Sequence, residues 1–397
     1  MWNRDEYYII IIVNHSIVMM VCVSTAHVGT LCSGPSTRRR IGSRGGRETL
    51  TRSRISGNVC ASKVEEDRET SADKPEWTGD SVVSKIVNAM ISSPVIFGLM
   101  KVGARQQFKM TAEKNGIPWG GVVESLQSSR EMLEALYRQV NDDSIVYPEY
   151  YTQPFHAYDE GNLNWLAAYE VEPATYSMAM RVWKNEEGLH PKAAQERLRG
   201  NAFEQVRHYL GDVKVESMLD VGCSSGVSTR YLANAFPEAS EVVGLDLSPY
   251  FLSVAMLRKH SNNAIFEEDM ASDGIRYVHG NAEYMAGSLF PEESFDVVSC
   301  QFVLHELPPE PTRKIMEECM KILKPGGVLF LVDNDPKSDV IQNLPPAIFT
   351  LMKSTEPHSD EYYAWDQERC LQHAGFVDIQ TSPCDPRHRL IMARKPT

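Results

Sequence analysis

From Glu216 onward, short apolar runs alternate with amphipathic stretches of helical period. Strands are predicted at 217–221, 241–246, 275–279, 295–300, 327–333, 377–381 and 388–393, with helices at 226–236, 248–260, 282–287, 310–323 and 365–374. Five strands separated by helices require crossovers, and therefore a parallel sheet covered on both faces. A short turn rich in Pro and Asp joins the last two strands, so these must pair antiparallel. No internal repeat is present.

The preceding region has helical period only. Val82, Val83, Ile86, Val87, Met90 and Ile91 share one face, and Pro94 interrupts it. A helix carrying Lys101, Arg105 and Lys109 at four-residue spacing follows. An apolar face beside a basic stripe suits packing on the protein itself, with a peripheral membrane contact as the alternative. Further helices are predicted around Met132–Tyr137, at 173–184 with Pro173 in the first turn, and at 193–210. Between them lies 147–169, in which seven of 23 residues are Phe, Tyr or Trp. Pro148, Pro154 and Gly161 forbid one long helix there. Aromatics mixed with His156, Asp159 and Glu160 suit a pocket wall or lid, and suit a satellite core equally.

Charge divides the chain. The 397 residues carry a net −13, but residues 1–62 hold eight Arg against three acids, leaving −18 on the remainder. An acidic body argues against a dedicated nucleic-acid binder, which needs clustered cations. The apolar stretch 7–23 is short of the ~20 residues that span a bilayer, and its Asp5–Glu6 flank does not suit a secretory signal. Residues 24–62 are rich in Arg, Ser, Thr and Gly, with Glu48 the only acid, as in an organelle transit peptide. Val59-Cys60-Ala61 resembles the cleavage site of plant chloroplast precursors. Met19 or Met20 is the more natural start of such a presequence, which would make 1–18 a gene-model extension. The expected organisation is thus a transit peptide or disordered N-terminus (1–62), an acidic linker (63–80), a helical cap region (81–210) and an α/β domain (211–397). The expected location is the chloroplast, stromal or membrane-associated, with the mitochondrion as alternative. Eight scattered cysteines lack zinc-ligand spacing, so free thiols and no metal are expected.

The sharpest chemical signal is Met218-Leu-Asp-Val-Gly-Cys-Ser-Ser-Gly226, a strand running through a glycine turn into a helix. Twenty residues later strand two ends in Asp246, a carboxylate able to accept both hydroxyls of a ribose. A dinucleotide fingerprint would need glycine at Ser224 and Val227, so a pyrophosphate lacks its close approach. An adenosine ligand without phosphates, such as S-adenosylmethionine (SAM), fits instead.

MLDVGCSSG, VVGLDLSP, YVHGNAE, FDVVSCQFVLHELP and LKPGGVLFLVD resemble, in order and spacing, the motifs of class I SAM-dependent methyltransferases. The similarity covers about 200–397 and is nearest the branch that includes quinone-biosynthesis and small-molecule enzymes, of plant or algal plastid type. It implies a Rossmann-like, doubly wound seven-stranded sheet, order 3-2-1-4-5-7-6 with the last strand antiparallel, beneath the helical cap. It further implies SAM as cofactor, with Asp220 and Gly222 bordering its methionine part, Ser224 and Gly226 also in the binding turn, and Asp246 on the ribose. Asn281, beside Ala282, would accept the adenine amine through its amide oxygen, and Gln301 would lie under the sulfonium. Ser224 departs from the usual central glycine, and Asn281 from the commoner Asp. His305 is the candidate base and Glu306 its orienter, with packing or capping as the alternative role for His305; Glu356 and His358 are weaker rim candidates. Tyr151, His156 and Tyr158 are the candidate substrate residues. The expected reaction is methyl transfer to a small, partly apolar acceptor of quinone, phenolic, carotenoid-like or tetrapyrrole type. A non-catalytic SAM-binding regulator and an NAD(P)-dependent reductase are the rival readings.

Overall fold

The computed structural model describes residues 108–397 except 157, 262–273 and 345, the backbone of 6–13 and 16–24, and isolated positions 75, 77, 78, 85, 103, 105 and 106. The helical face predicted over 82–91, Lys101 and the predicted cleavage segment lie outside the described residues. Two compact units divide the chain, Met1–Glu69 and Thr70–Thr397. In the first, Glu6–Val13 and Ser16–Ser24 pair as an antiparallel hairpin, where the sequence reading placed no regular element.

In the second unit, β1 (Ser217–Val221), β2 (Glu241–Asp246), β3 (Ile275–His279), β4 (Phe295–Gln301), β5 (Leu323–Asn334), β6 (Val377–Pro383) and β7 (His388–Arg394) form one sheet. Its order is 3-2-1-4-5-7-6. The first five strands run parallel, and β7 is antiparallel to both β5 and β6. Two-residue alternation splits the central strands between two cores. Leu219, Val221, Val298, Cys300, Leu329 and Leu331 face one core, while Met218, Val297, Val328, Phe330 and Val332 face the other. Five buried cysteines in this unit are free thiols.

Besides the helical residues 108–114, the helices among the described residues are α1 (Trp119–Ser128), α2 (Arg130–Val140), α3 (Trp165–Val182), α4 (Pro191–Leu210), α5 (Val227–Ala235), α6 (Pro249–Ser261) and α7 (Pro309–Ile322), followed by four short ones between Asp339 and His373. Two predictions are corrected. Helix α3 begins eight residues before Pro173, because Asn164 Oδ1 accepts the Ala167 amide at 2.8 Å and caps it. Pro173 therefore sits inside the helix, where it lacks an N–H to donate. The helix expected at 282–287 is a single 3-10 turn, Ala282–Tyr284.

Two cations of the basic stripe are turned inward. Arg105 and Lys109 both reach the buried Glu170 at 2.8 Å. No helix among the described residues is long and apolar enough to cross a membrane. Trp77, within the predicted acidic linker, is buried: it stacks on Phe349 and its indole donates to the Ile341 carbonyl at 2.9 Å.

Candidate active site

The carboxyl ends of β1, β2, β4 and β5 open on one cavity of about 420 Å³, within the ~300–1,000 Å³ usual for small-molecule sites. The chain leaves β1 through Gly222 at φ +72°, and the Gly222 and Cys223 amides donate to the Leu245 carbonyl. A Cβ on Gly222 would collide with the Val303 side chain, so only glycine fits this approach. Asp246, closing β2, then clamps the turn. Its Oδ2 accepts the Ser224 amide and its Oδ1 the Ser248 amide, each at 2.8 Å. Burial lifts its pKa to about 6 against the pull of those amides. Each oxygen retains lone-pair capacity for a ribose hydroxyl.

Two residues of the glycine motif act from behind the cavity and do not line it. Asp220 is consumed by three hydroxyls, those of Ser228 (2.6 Å), Thr229 (2.8 Å) and Ser299 (2.5 Å). It ties β1 to β4 and α5. Gly226 is the N-cap of α5 at φ +77°, packed so closely on Tyr277 that a Cβ would strike its hydroxyl. Gly222, Ser224, Asn281, Ala282 and Gln301 do line the cavity, with Asp246. The Asn281 amide oxygen already accepts the Glu283 amide at 2.9 Å, which leaves its NH₂ as the more available group. Gln301 Oε1 accepts from the buried Arg199 of α4 at 2.7 Å. Sequence reasoning missed Arg199, because it precedes every recognisable motif.

The residues present suit SAM. The Ser224 hydroxyl is buried against the cavity with no hydrogen-bond partner among the described residues, an orphan that a ligand's polar atoms would satisfy. The glycine at 222 and the carboxylate at 246 supply the close approach and the ribose acceptor.

His305 is oriented by Asp333, and not by Glu306 as expected. Its Nδ1 lies 2.8 Å from Asp333 Oδ1, and its backbone amide donates to Oδ2 at 3.2 Å. Burial opposes the charge on both partners, but each favours the charged form of the other. Asp333 is held below the usual carboxylate range and His305 is raised to about 10. The pair with Asp333 favours the imidazolium form of His305, which speaks against the expected role as base. Its Nε2 has no hydrogen-bond partner among the described residues. Glu306 also lines the cavity, and burial, reinforced by Glu356 and Asp333, raises it to about 8 despite His305. Glu356 lines the cavity too. His358 does not, and pairs with Glu361 at 3.0 Å.

The aromatic run lines the same cavity. Tyr150, Tyr151, Phe155, His156 and Tyr158 share the cavity with Gly222 and His305, and the His156 amide is tied to the Thr355 carbonyl at 3.1 Å. Desolvation within the cavity and the charge on His305 lower the His156 pKa. With Glu306 largely protonated, the 3.8 Å approach of His156 Nε2 to Glu306 is no ion pair at neutral pH. Tyr151 keeps its hydroxyl unengaged among the described residues. The Tyr158 hydroxyl is committed to Glu170 at 2.6 Å, so only its ring is offered. Trp165 belongs to the packing between helices, against Tyr137, Tyr169 and Tyr250. Three non-glycine residues with left-handed backbone, His156 (φ +47°), Ser224 (φ +52°) and Phe302 (φ +60°), all line this cavity.

Residues 219–331 match the methyltransferase domain family. The chain is 32% identical over 170 residues to an uncharacterized methyltransferase of Synechocystis sp., covering 42% of this chain and 68% of that protein. It is likewise 32% identical over 172 residues to the demethylmenaquinone methyltransferase of Oceanobacillus iheyensis, covering 42% and 66%. It therefore spans about two thirds of the length of these relatives. Among solved structures, human N-acetylserotonin methyltransferase in complex with SAM aligns at TM-score 0.38 and 16% identity, covering 67% of this chain and 66% of that one. The chain belongs to the class I SAM-dependent methyltransferases. It is an enzyme of that class, and its cofactor is SAM.

Proposed function

We propose that this methyltransferase acts in the plastid on a small, flat, partly apolar acceptor of phenolic or quinonoid type. The observation that carries the reading is the shared cavity, which aromatic rings of 150–158 line together with the Gly222 turn, His305 and Glu306. A volume of about 420 Å³ shared with the cofactor favours one or two rings over a carotenoid or tetrapyrrole. The name of the Oceanobacillus relative, a demethylmenaquinone methyltransferase, supports the same class.

When bound, SAM supplies an electrophilic methyl group on a sulfonium. The chain's own residues do the rest. The aromatic wall orients a flat ring and excludes water. His305, held charged by Asp333, offers Nε2–H to an acceptor oxygen and stabilises negative charge there. Glu306, its pKa raised to about 8, takes up in its ionised form the proton the acceptor hydroxyl loses.

Untargeted metabolite profiling of a loss-of-function line tests the reaction. A phenolic or quinonoid compound should accumulate one methylene lighter than another that disappears; accumulation of an aliphatic compound would sink the proposal. For location, residues 19–62 fused to a fluorescent reporter should direct plastid import, and a purely cytosolic signal would refute it. The support there is the basic, hydroxyl-rich composition that ends at Lys63.

A further inference from the structure

Helix α3 lines the cavity along its length. Ala167, Glu170, Ala174, Met178 and Arg181 lie on its cavity face at helical spacing, a rise of about 21 Å from first to last. Arg181 ends that face, with its guanidinium 3.6 Å from the centre of the Phe108 ring. Arg387, from the turn between β6 and β7, lines the same region and donates through Nε to Asn334 Oδ1 at 2.9 Å. Asn334 closes β5 and Asp246 closes β2, with β1 and β4 between them. Three strand spacings of ~4.8 Å put this corner about 14 Å from the ribose carboxylate.

The corner holds an excess of positive charge. Burial and the neighbouring Arg387 lower the Arg181 pKa to about 10. Among the described residues, neither guanidinium donates a hydrogen bond to a carboxylate. Asp333 is engaged with His305. Glu356, the carboxyl influenced by both arginines, keeps Oε2 buried without a hydrogen-bond partner.

We propose that Arg181 and Arg387 form a carboxylate subsite for the methyl acceptor, which is therefore a phenolic or quinonoid acid. The inference rests on the acceptor class proposed above and narrows it. Glu356 can offset only one of the two charges, so a neutral acceptor would leave positive charge uncompensated in the cavity, whereas a carboxylate accepts N–H donors from both arginines. The flanking Phe108 and Phe302 suit the apolar body next to that group. The methionine carboxylate of the cofactor has the same chemistry, so the test must separate the two sources.

Calorimetry on the full chain saturated with S-adenosylhomocysteine would compare 4-hydroxybenzoate, caffeate and a dihydroxyquinone acid with their methyl esters. At least one acid should bind about tenfold or more tightly than its ester, as expected of charged hydrogen bonds. In Arg181→Met and Arg387→Met that preference should vanish while the Kd for SAM stays within about threefold, since no charged hydrogen bond to the cofactor is lost. Esters binding as well as their acids would overturn the subsite while leaving the phenolic reading intact. No binding of either form would overturn both. A variant that keeps its far-ultraviolet circular dichroism but loses affinity for SAM would assign the arginines to the cofactor and overturn the proposal. The wild-type comparison stands whether or not the variants fold.

Discussion

Glu306→Gln should lower kcat by about 10²–10⁴-fold, the usual contribution of a positioned general base. The isosteric amide keeps the packing but cannot take up a proton. In the wild type, kcat should rise with pH as Glu306 ionises, with a midpoint near its pKa of about 8. The variant's profile should be flat over the same range. The Kd for SAM should be unchanged, because Glu306 makes no hydrogen bond to the glycine turn or to Asp246. A variant that retains wild-type turnover and pH dependence would remove Glu306 from the chemistry and return the search for a base to His156.

Asp333→Asn should destabilise the fold by about 3–5 kcal/mol, the cost of breaking a buried ion pair from one side. His305 would then be left buried without its counter-charge. The sign of the pH dependence follows from the two shifts. His305 is raised above its unfolded value of ~6.5, so its contribution is complete below that pH and fades as pH climbs through about 10. Asp333 is depressed below its unfolded value of ~3.9, so its contribution is complete above that pH and is lost on acidification. The stability gap between wild type and variant should therefore be widest between about pH 4 and 6.5 and narrow steadily toward pH 10. Urea titrations at pH 5.5 and 9.5 would measure it. An equal gap at both would show that Asp333 matters for packing alone.

The sheet was legible because every central strand is a two-sided apolar run punctuated by glycine or a carboxylate, and β1, β2 and β3 fall where the pattern puts them. Asp246 was legible for the same reason, as the polar residue that closes a buried strand. What failed was assignment of atoms to tasks. Asp220 and Gly226 belong to the same motif as Gly222, yet the hydroxyls of Ser228, Thr229 and Ser299 draw Asp220 away from the cavity, a three-dimensional fact no spacing encodes. The partner of His305 lies 28 residues downstream. It was visible as the acid ending the LKPGGVLFLVD run, and adjacency of β4 to β5 would have paired it with the segment leaving β4. The start of α3 was hidden because a proline inside a helix looks like a beginning, while the true cap is an Asn in a polar, aromatic stretch.

The left-handed backbone at His156, Ser224 and Phe302 bears on heat tolerance. Side-chain-bearing residues in that region cost of order 1–3 kcal/mol each, and a whole domain retains only ~5–15 kcal/mol of net stability. Warming thus draws on a margin already reduced at three points around one cavity. The walls of the cavity should loosen before the sheet beneath them melts, and turnover should fail at a lower temperature than secondary structure does.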